Sequence, residues 1–257
     1  MKNSNGMVAA GFAALVGLAQ VATAEAADIK VLSANGMREV MEDLGPKFER
    51  ATGHRLAIGF ATLGVIVQRV QGGEIADVVV IPRQGVDRIV KDGKASAGTV
   101  TVLARAGIGV VVRKGAPKPD ISTPEALKRA LLSAKSITYL DPAAGGTSGV
   151  HFAGVLDRLG IAAEMKPKTV LHPNARAAGV LVANGEAEIG INLIQELIPL
   201  PGIELVGPLP GDLQNTIVFA AATMTGAVDA AAAKALIDFL RTPEAAVVIK
   251  AKGMEPG

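Results

Sequence analysis

The sequence predicts an α/β protein with mostly parallel β-sheets and helices on both sheet faces, and three observations lead to this prediction. Short apolar segments typical of strands alternate with amphipathic segments typical of helices through the first third of the chain. Residues 76–81 (ADVVVI) form a continuous apolar run, as expected for a strand covered on both faces. The chain is also 49% hydrophobic with a net charge of only +2, which excludes a disordered polypeptide.

The first elements follow the order β-α-β-α-β-α. Strands are expected over 28–33 and 55–60, and the segment between them repeats Val40, Leu44 and Phe48 at helical spacing. Gly53 follows this helix at the position where a left-handed residue commonly ends a helix. A second helix is expected over 65–71, and a third over 84–92 follows the apolar strand. This alternation is what a parallel sheet with crossover helices requires.

The alternation continues through the rest of the chain. Thr123 and Pro124 predict a helix start, because Thr caps exposed N–H groups and Pro fits the first helical position. Further strands are expected at 107–113, 136–140, 169–172, 187–192, 204–207 and 216–221. Helices are expected from 124 to 134, over 150–159, 175–184 and 227–241, and from 243 onward.

Residues 1–26 have the pattern of a secretory signal peptide. A region bearing one Lys precedes the apolar stretch 7–19, and two small-x-small sequences end at Ala24 and Ala26. The apolar stretch is shorter than the about 20 residues that a membrane span needs. We therefore predict a periplasmic protein whose mature chain begins near Ala27.

The composition excludes several classes of function. Twenty-six basic residues against 24 acidic ones argue against a nucleic-acid-binding face, and 3% aromatic residues leave few stacking platforms. The chain has no Cys, which excludes disulfides, thiolate chemistry and Cys-based metal sites. Its three histidines argue against a multi-histidine metal site. We expect a monomer with no cofactor, no metal and no nucleic-acid partner.

Three loops are predicted where a strand ends and a helix begins, at 33–38, 61–65 and 145–150. In open parallel sheets, ligands bind beyond the carboxyl ends of the strands. Helix N-termini at this edge offer unpaired N–H groups and partial positive charge, so the ligand is expected to be an anion. Ser33, Thr62, Thr147 and Ser148 place hydroxyls on these loops. The alternative role for each of them is a plain helix cap.

The chain resembles type II periplasmic solute-binding proteins of the molybdate-binding-protein branch. The resemblance rests on ATLG at 61–64, GGEIADVVVI at 72–81, DPAAGGTSG at 141–149, ANGEAEIGI at 183–191 and the C-terminal IDFLRTPEAAVVIKAKGMEP. It implies two α/β lobes with a ligand cleft between them, and an ABC-type permease as partner. Lobe one would comprise 27–106 and 219–257, and lobe two 107–218.

The resemblance also implies which residues bind the ligand. They are Ser33, Thr62, Gly146, Thr147, Ser148, Arg176, Asn192 and Gln195, and we expect Asn35 and Arg83 to bind the ligand as well. Two departures from the molybdate pattern stand out, since the chain has Ala61-Thr62-Leu63 where Ser or Gly-Ser is expected and Leu193 where a Tyr is expected. Arg38, Arg83 and Arg176 are further cations near the expected cleft, and guanidinium grips carboxylates in bidentate fashion. These cations favour a di- or tricarboxylate over a tetrahedral oxyanion held by neutral dipoles.

Two functions stay open at this point. One is a binding protein that hands a small anion to a transporter, and this is the function we favour. The other is suggested by GAPKPDIS at 115–122, EALKRALL at 125–132, LVGPLPGDLQ at 205–214 and GMEP at 253–256, which resemble periplasmic aconitate isomerases of the same fold. Such an enzyme needs cations for three carboxylates and one group that moves a proton. His151 is the candidate for that group, with the hydroxyls of Ser33, Thr147 and Ser148 as alternatives.

Overall fold

The computed structural model describes residues 26–257, so the expected signal peptide falls almost entirely outside the described residues. The strands are β1 Asp28–Ala34, β2 Arg55–Ala61, β3 Val78–Pro82, β4 Thr101–Ala106, β5 Ile108–Arg113, β6 Ile137–Leu140, β7 Thr169–His172, β8 Ile189–Leu193, β9 Ile203–Pro208, β10 Ile217–Thr223 and β11 Glu255–Pro256. The helices are α1 Arg38–Thr52, α2 Leu63–Gln71, α3 Arg83–Lys91, α4 Pro124–Ser133, α5 Thr147–Arg158, α6 Ala162–Met165, α7 Ala175–Ala183, α8 Ile194–Leu197, α9 Ala230–Phe239 and α10 Pro243–Ala251. No helix in this range is long and apolar enough to cross a membrane.

The strands form two sheets. The first has the order β11-β4-β10-β3-β1-β2 and the second the order β7-β6-β8-β5-β9. The chain passes from the first sheet to the second at Gly107, and it returns between β9 and β10. Strand β10 begins at Ile217, slightly before the lobe boundary that was expected at 219.

Both sheets are more mixed than the sequence predicted. Strand β1 pairs in parallel with β2 and β3, and β6 pairs in parallel with β7 and β8. Strands β5 and β10 pair antiparallel with their neighbours on both sides. Each of these two strands arrives directly from the other sheet. Because no helix carries the chain back across the same sheet before it, nothing forces either strand into the parallel direction.

The local signals in the sequence correspond to observed features. Val40, Leu44 and Phe48 of α1 are all buried in the core, and Gly53 ends that helix with φ 80°. Strand β3 is buried along its whole length, which confirms the prediction of a strand covered on both faces. At the start of α4 the Thr123 hydroxyl accepts a hydrogen bond from the Ala126 N–H at 3.1 Å.

Four elements were not expected from the sequence, namely β4, α6, α8 and β11, and α8 is important for the site. Strand β4 carries Arg105 and lacks a long apolar run. Helix α8 is only four residues long, so no helical periodicity reveals it. It follows β8 directly and turns the chain at the end of that strand.

Candidate functional site

A narrow cleft of about 30 Å³, partly open to solvent, lies where the ends of strands from both sheets meet. The first sheet contributes the β1–α1 connection, the start of α2, the end of β3 and part of β10. The second sheet contributes the end of β6, the start of α5 and the β8–α8 junction. The cleft therefore lies at the edge where an α/β sheet is expected to bind its ligand.

Helix α5 begins at this cleft with a free first turn. Gly146 precedes the helix, and within the described chain no side chain caps α5 or α2. The Thr62 hydroxyl instead donates to the Ala144 carbonyl at 2.6 Å, and the Ser148 hydroxyl donates to Asn192 Oδ1 at 2.7 Å. These hydroxyls are therefore not helix caps. The first N–H groups of α5 are left for a ligand, and a helix N-terminus favours an anion there.

The two walls of the cleft are in contact with each other. The Gly64 N–H at the start of α2 donates to the Gly145 carbonyl at 3.0 Å, beside the bond from Thr62 to Ala144. A Cβ on Gly64 would lie 3.0 Å from the Gly145 Cα, so glycine permits this close approach of two backbones. At the base of the cleft Gln195 Nε2 donates to the Gly36 carbonyl at 3.2 Å. These bonds join elements of the first sheet to elements of the second.

A buried chain of hydrogen bonds leads from α5 to a carboxyl group. Ser148 donates to Asn192, and Asn192 Nδ2 donates to Glu196 Oε2 at 2.7 Å. Glu196 is only 8% exposed. Burial raises the pKa of this carboxyl to about 7, although the bond from Asn192 and the positive charges of Arg176 and Arg38 act in the opposite direction.

Glu196 was missed by the sequence analysis. The predicted binding segment after β8 ended at Gln195, one residue earlier, because an acidic side chain is not an expected neighbour of an anion. No local signal in the sequence pointed to Glu196. Asn192 lies near the end of strand β8 and Glu196 lies in the short helix α8, so their hydrogen bond depends on the turn between these two elements.

A larger opening of about 420 Å³ adjoins the cleft and shares Asn35, Gly36 and Glu196 with it. It is lined by charged side chains from α1 and α7. Arg38 pairs with Glu42 at 3.3 Å and lies over the Phe60 ring at 4.0 Å. Arg176 forms an ion pair with Glu39, which links α7 of the second sheet to α1 of the first.

Five of the sequence-predicted residues line the cleft itself. They are Asn35, Thr62, Gly146, Thr147 and Ser148. The Thr147 hydroxyl is buried and has no hydrogen-bond partner in the described structure. Leu193, which stands where the family pattern has Tyr, also lines the cleft and makes this wall apolar.

The other predicted residues lie around the cleft or away from it. Ser33 is fully buried in β1, where its hydroxyl donates to the Ala34 carbonyl at 3.3 Å. Asn192 and Gln195 are buried behind the cleft wall. Arg176 lines the larger opening. Ser33, Asn192 and Gln195 are therefore not among the residues that line the cleft or the larger opening.

Arg83 and His151 are not brought into the cleft. Arg83 pairs with Asp87 at 2.7 Å and lines a separate depression together with Arg105. That depression meets the cleft at Thr147, among other shared residues. His151 Nε2 lies 2.8 Å from the Leu213 carbonyl and lines neither the cleft nor the larger opening.

Comparison with known proteins agrees with this architecture. The sequence profile of the bacterial extracellular solute-binding protein family matches residues 29–255. An aconitate isomerase from Pseudomonas sp is 33% identical over 234 residues, which cover 89% of this chain and 87% of that protein. The molybdate-binding protein ModA of Azotobacter vinelandii is 30% identical over 236 residues, covering 90% of each chain.

Solved structures show the same fold. The periplasmic molybdate-binding protein of Azotobacter vinelandii superposes with a TM-score of 0.67 at 20% identity, covering 88% of this chain and 98% of the other. The sulfate-binding protein SubI of Mycobacterium tuberculosis H37Rv superposes with a TM-score of 0.75 at 17% identity, covering 90% of this chain and 87% of the other. The chain therefore belongs to the bacterial extracellular solute-binding protein family and has the type II periplasmic-binding-protein fold.

Proposed function

We propose that this protein captures a small anion in the cleft and hands it to an ABC-type permease from the periplasm. The observation that carries the proposal is the uncapped first turn of α5, which opens into a cleft built from both sheets. Oriented backbone N–H groups bind anions without a counter-charge. The family to which the chain belongs, and the relatives named for molybdate binding, support this function.

The surroundings of the cleft favour a di- or tricarboxylate as the ligand. Arg38 and Arg176 stand in the larger opening on one side, and Arg83 and Arg105 stand in the depression on the other. A tetrahedral oxyanion held by N–H dipoles does not need these cations. An elongated ligand with several carboxylates can place a charged end near them, where guanidinium provides paired donors.

The lobe assignment belongs to the same proposal. Lobe one is 27–106 with 219–257, lobe two is 107–218, and the division of the strands into two sheets supports it. Ligand binding in such proteins is expected to tighten the contact between the lobes. The bonds of Thr62 and Gly64 to the facing loop are the contacts through which that tightening would act.

A second candidate function is the isomerisation of aconitate. It is favoured by the relative that is 33% identical and named aconitate isomerase, and by a buried carboxyl against the cleft. In this reaction a base takes a proton from a saturated carbon, the double bond moves by one position, and a proton is returned at the far end of the three-carbon unit. Glu196 lines the cleft and His151 does not, so Glu196 is the better placed base.

Calorimetry of the mature chain from Ala27 tests the proposal. The anions are molybdate, tungstate, sulfate, citrate and the two aconitates. If the ligand is a polycarboxylate, Arg176→Ala is expected to weaken binding by roughly 30-fold or more, as for other charge-assisted contacts in partly dry sites. Arg50→Ala, an exposed arginine near the end of α1, is the matched control and should change nothing.

The results separate the two functions. If none of the anions binds, the binding function is wrong. If aconitate binds, proton NMR of an aconitate sample with the protein decides about the enzyme. A cis/trans ratio that stays constant while aconitate is bound excludes the isomerase and leaves the binding protein.

A further inference from the structure

Glu196 occupies an unusual position for an acidic residue in an anion site. Among the described residues that line the cleft it is the only one with an ionisable side chain, and the rest of the lining is neutral. It also forms part of the wall of the larger opening, so the carboxyl stands between the two spaces. An anion that enters the cleft therefore meets a buried carboxyl with no cation in the same lining.

The charged groups around Glu196 do not provide a free counter-charge. From β8, Asn192 donates a neutral hydrogen bond to it. From α1, Arg38 reaches the shared opening but is paired with Glu42, and from α7, Arg176 is paired with Glu39. In each of these pairs the charge of the guanidinium group is already balanced by a carboxylate. The burial of Glu196 therefore outweighs the two arginines, and its pKa is raised.

We propose that the protein binds its anion together with one proton, which Glu196 carries. An ionised carboxylate would repel the ligand across a poorly solvated space, whereas a protonated carboxyl removes that repulsion and offers an O–H donor. The second oxygen keeps its bond from Asn192. This inference rests on the proposed anion-binding function and adds to it a preference for fully ionised anions that accept hydrogen bonds.

The proposal predicts how affinity changes with pH. Below the pKa of about 7 the free protein already carries the proton, so affinity for a fully ionised anion is constant. Above it the proton must be taken up during binding, and affinity falls about tenfold per pH unit. Near pH 8 the uptake approaches about 0.9 proton per anion bound, because roughly nine-tenths of free Glu196 is then ionised.

Calorimetry in two buffers measures this uptake directly. Sulfate and molybdate are titrated near pH 8 in Tris and in HEPES, two buffers with different ionisation enthalpies. The heats of binding measured in the two buffers then differ by the number of protons taken up multiplied by the difference between these enthalpies. trans-Aconitate is the third probe. Glu196→Gln keeps the shape and the acceptor for Asn192, so it is expected to bind as tightly as wild type or up to about tenfold tighter at this pH, with no buffer dependence.

Glu42→Gln is the matched control. Glu42 lines the larger opening but its side chain is 51% exposed, so its removal should leave the proton uptake of the wild type intact. If the wild type binds an anion with a heat that does not depend on the buffer, the inference is overturned and the anion-binding function stands. If no anion binds, both are overturned.

A measurement on the wild type alone covers the case in which Glu196→Gln does not fold. The affinity for sulfate or molybdate is compared between about pH 6 and about pH 8, where neither anion changes its own charge. A fall of about tenfold over this range supports the proposal. An affinity that is constant or rises with pH overturns it.

Discussion

The substitution Glu196→Gln isolates the cost of placing a charge at this buried position. Glu196 is 8% exposed and accepts one hydrogen bond from Asn192 at 2.7 Å. Glutamine has nearly the same shape and can accept the same bond through its amide oxygen. The variant therefore removes the ionisable proton and changes little else in the packing.

The expected effect depends on pH, and its sign follows from the raised pKa. In the folded protein Glu196 keeps its proton up to about pH 7, whereas its ordinary pKa is 4.5. Its contribution to stability is therefore fully present below the ordinary pKa and is lost as the pH rises through the folded value. At 1.36 kcal/mol per pKa unit, the loss amounts to about 3 kcal/mol by about pH 8.

Urea denaturation of both proteins at several pH values measures this loss. The free energy of unfolding of Glu196→Gln minus that of the wild type is expected to grow by about 3 kcal/mol between about pH 4 and about pH 8. The same difference for Glu42→Gln should stay nearly constant, since Glu42 is half exposed and pairs with Arg38 at the surface. Parallel stability curves for Glu196→Gln and wild type would refute the reasoning.

Three further outcomes are expected. Ser148→Ala removes the hydrogen bond from the Ser148 hydroxyl to Asn192 and should lower the free energy of unfolding by about 0.5–1.5 kcal/mol in urea. Gly64→Ala places a Cβ 3.0 Å from the facing backbone and should enlarge the particle in X-ray scattering, whereas Gly98→Ala, with nothing within 4 Å, should not. Burial lowers the pKa of His172, so the stability it contributes is lost as the pH falls below its ordinary value of 6.5. His172→Phe should reduce that acid sensitivity in thermal melts, and an unchanged acid limb would contradict this.

The sequence by itself determined the local elements and the edge at which the ligand site lies. The stripe of Val40, Leu44 and Phe48 predicts one buried helix face, and Gly53 and Thr123 predict a helix end and a helix start. These signals act over a few residues, since hydrophobic spacing and capping need no distant partner. The same alternation places the loops after β1, β2 and β6 at the carboxyl ends of their strands, and the predicted residues Asn35, Thr62 and 146–148 line the cleft where the two sheets meet.

The tertiary structure alone decided what each polar side chain does at that edge. Thr62 bonds to a carbonyl 82 positions away, and Ser148 bonds to an amide 44 positions away. These partners depend on how the two sheets pack against each other. The residues next to Thr62 and Ser148 in the sequence do not indicate which distant group each hydroxyl will contact. The fold also buries Ser33 within its sheet, places His151 against the Leu213 carbonyl and leaves Glu196 only 8% exposed, whereas Arg83 pairs with Asp87 one turn along its own helix. Because the energy of a charge depends on its surroundings, the chemistry of Glu196 became visible only when those surroundings were known.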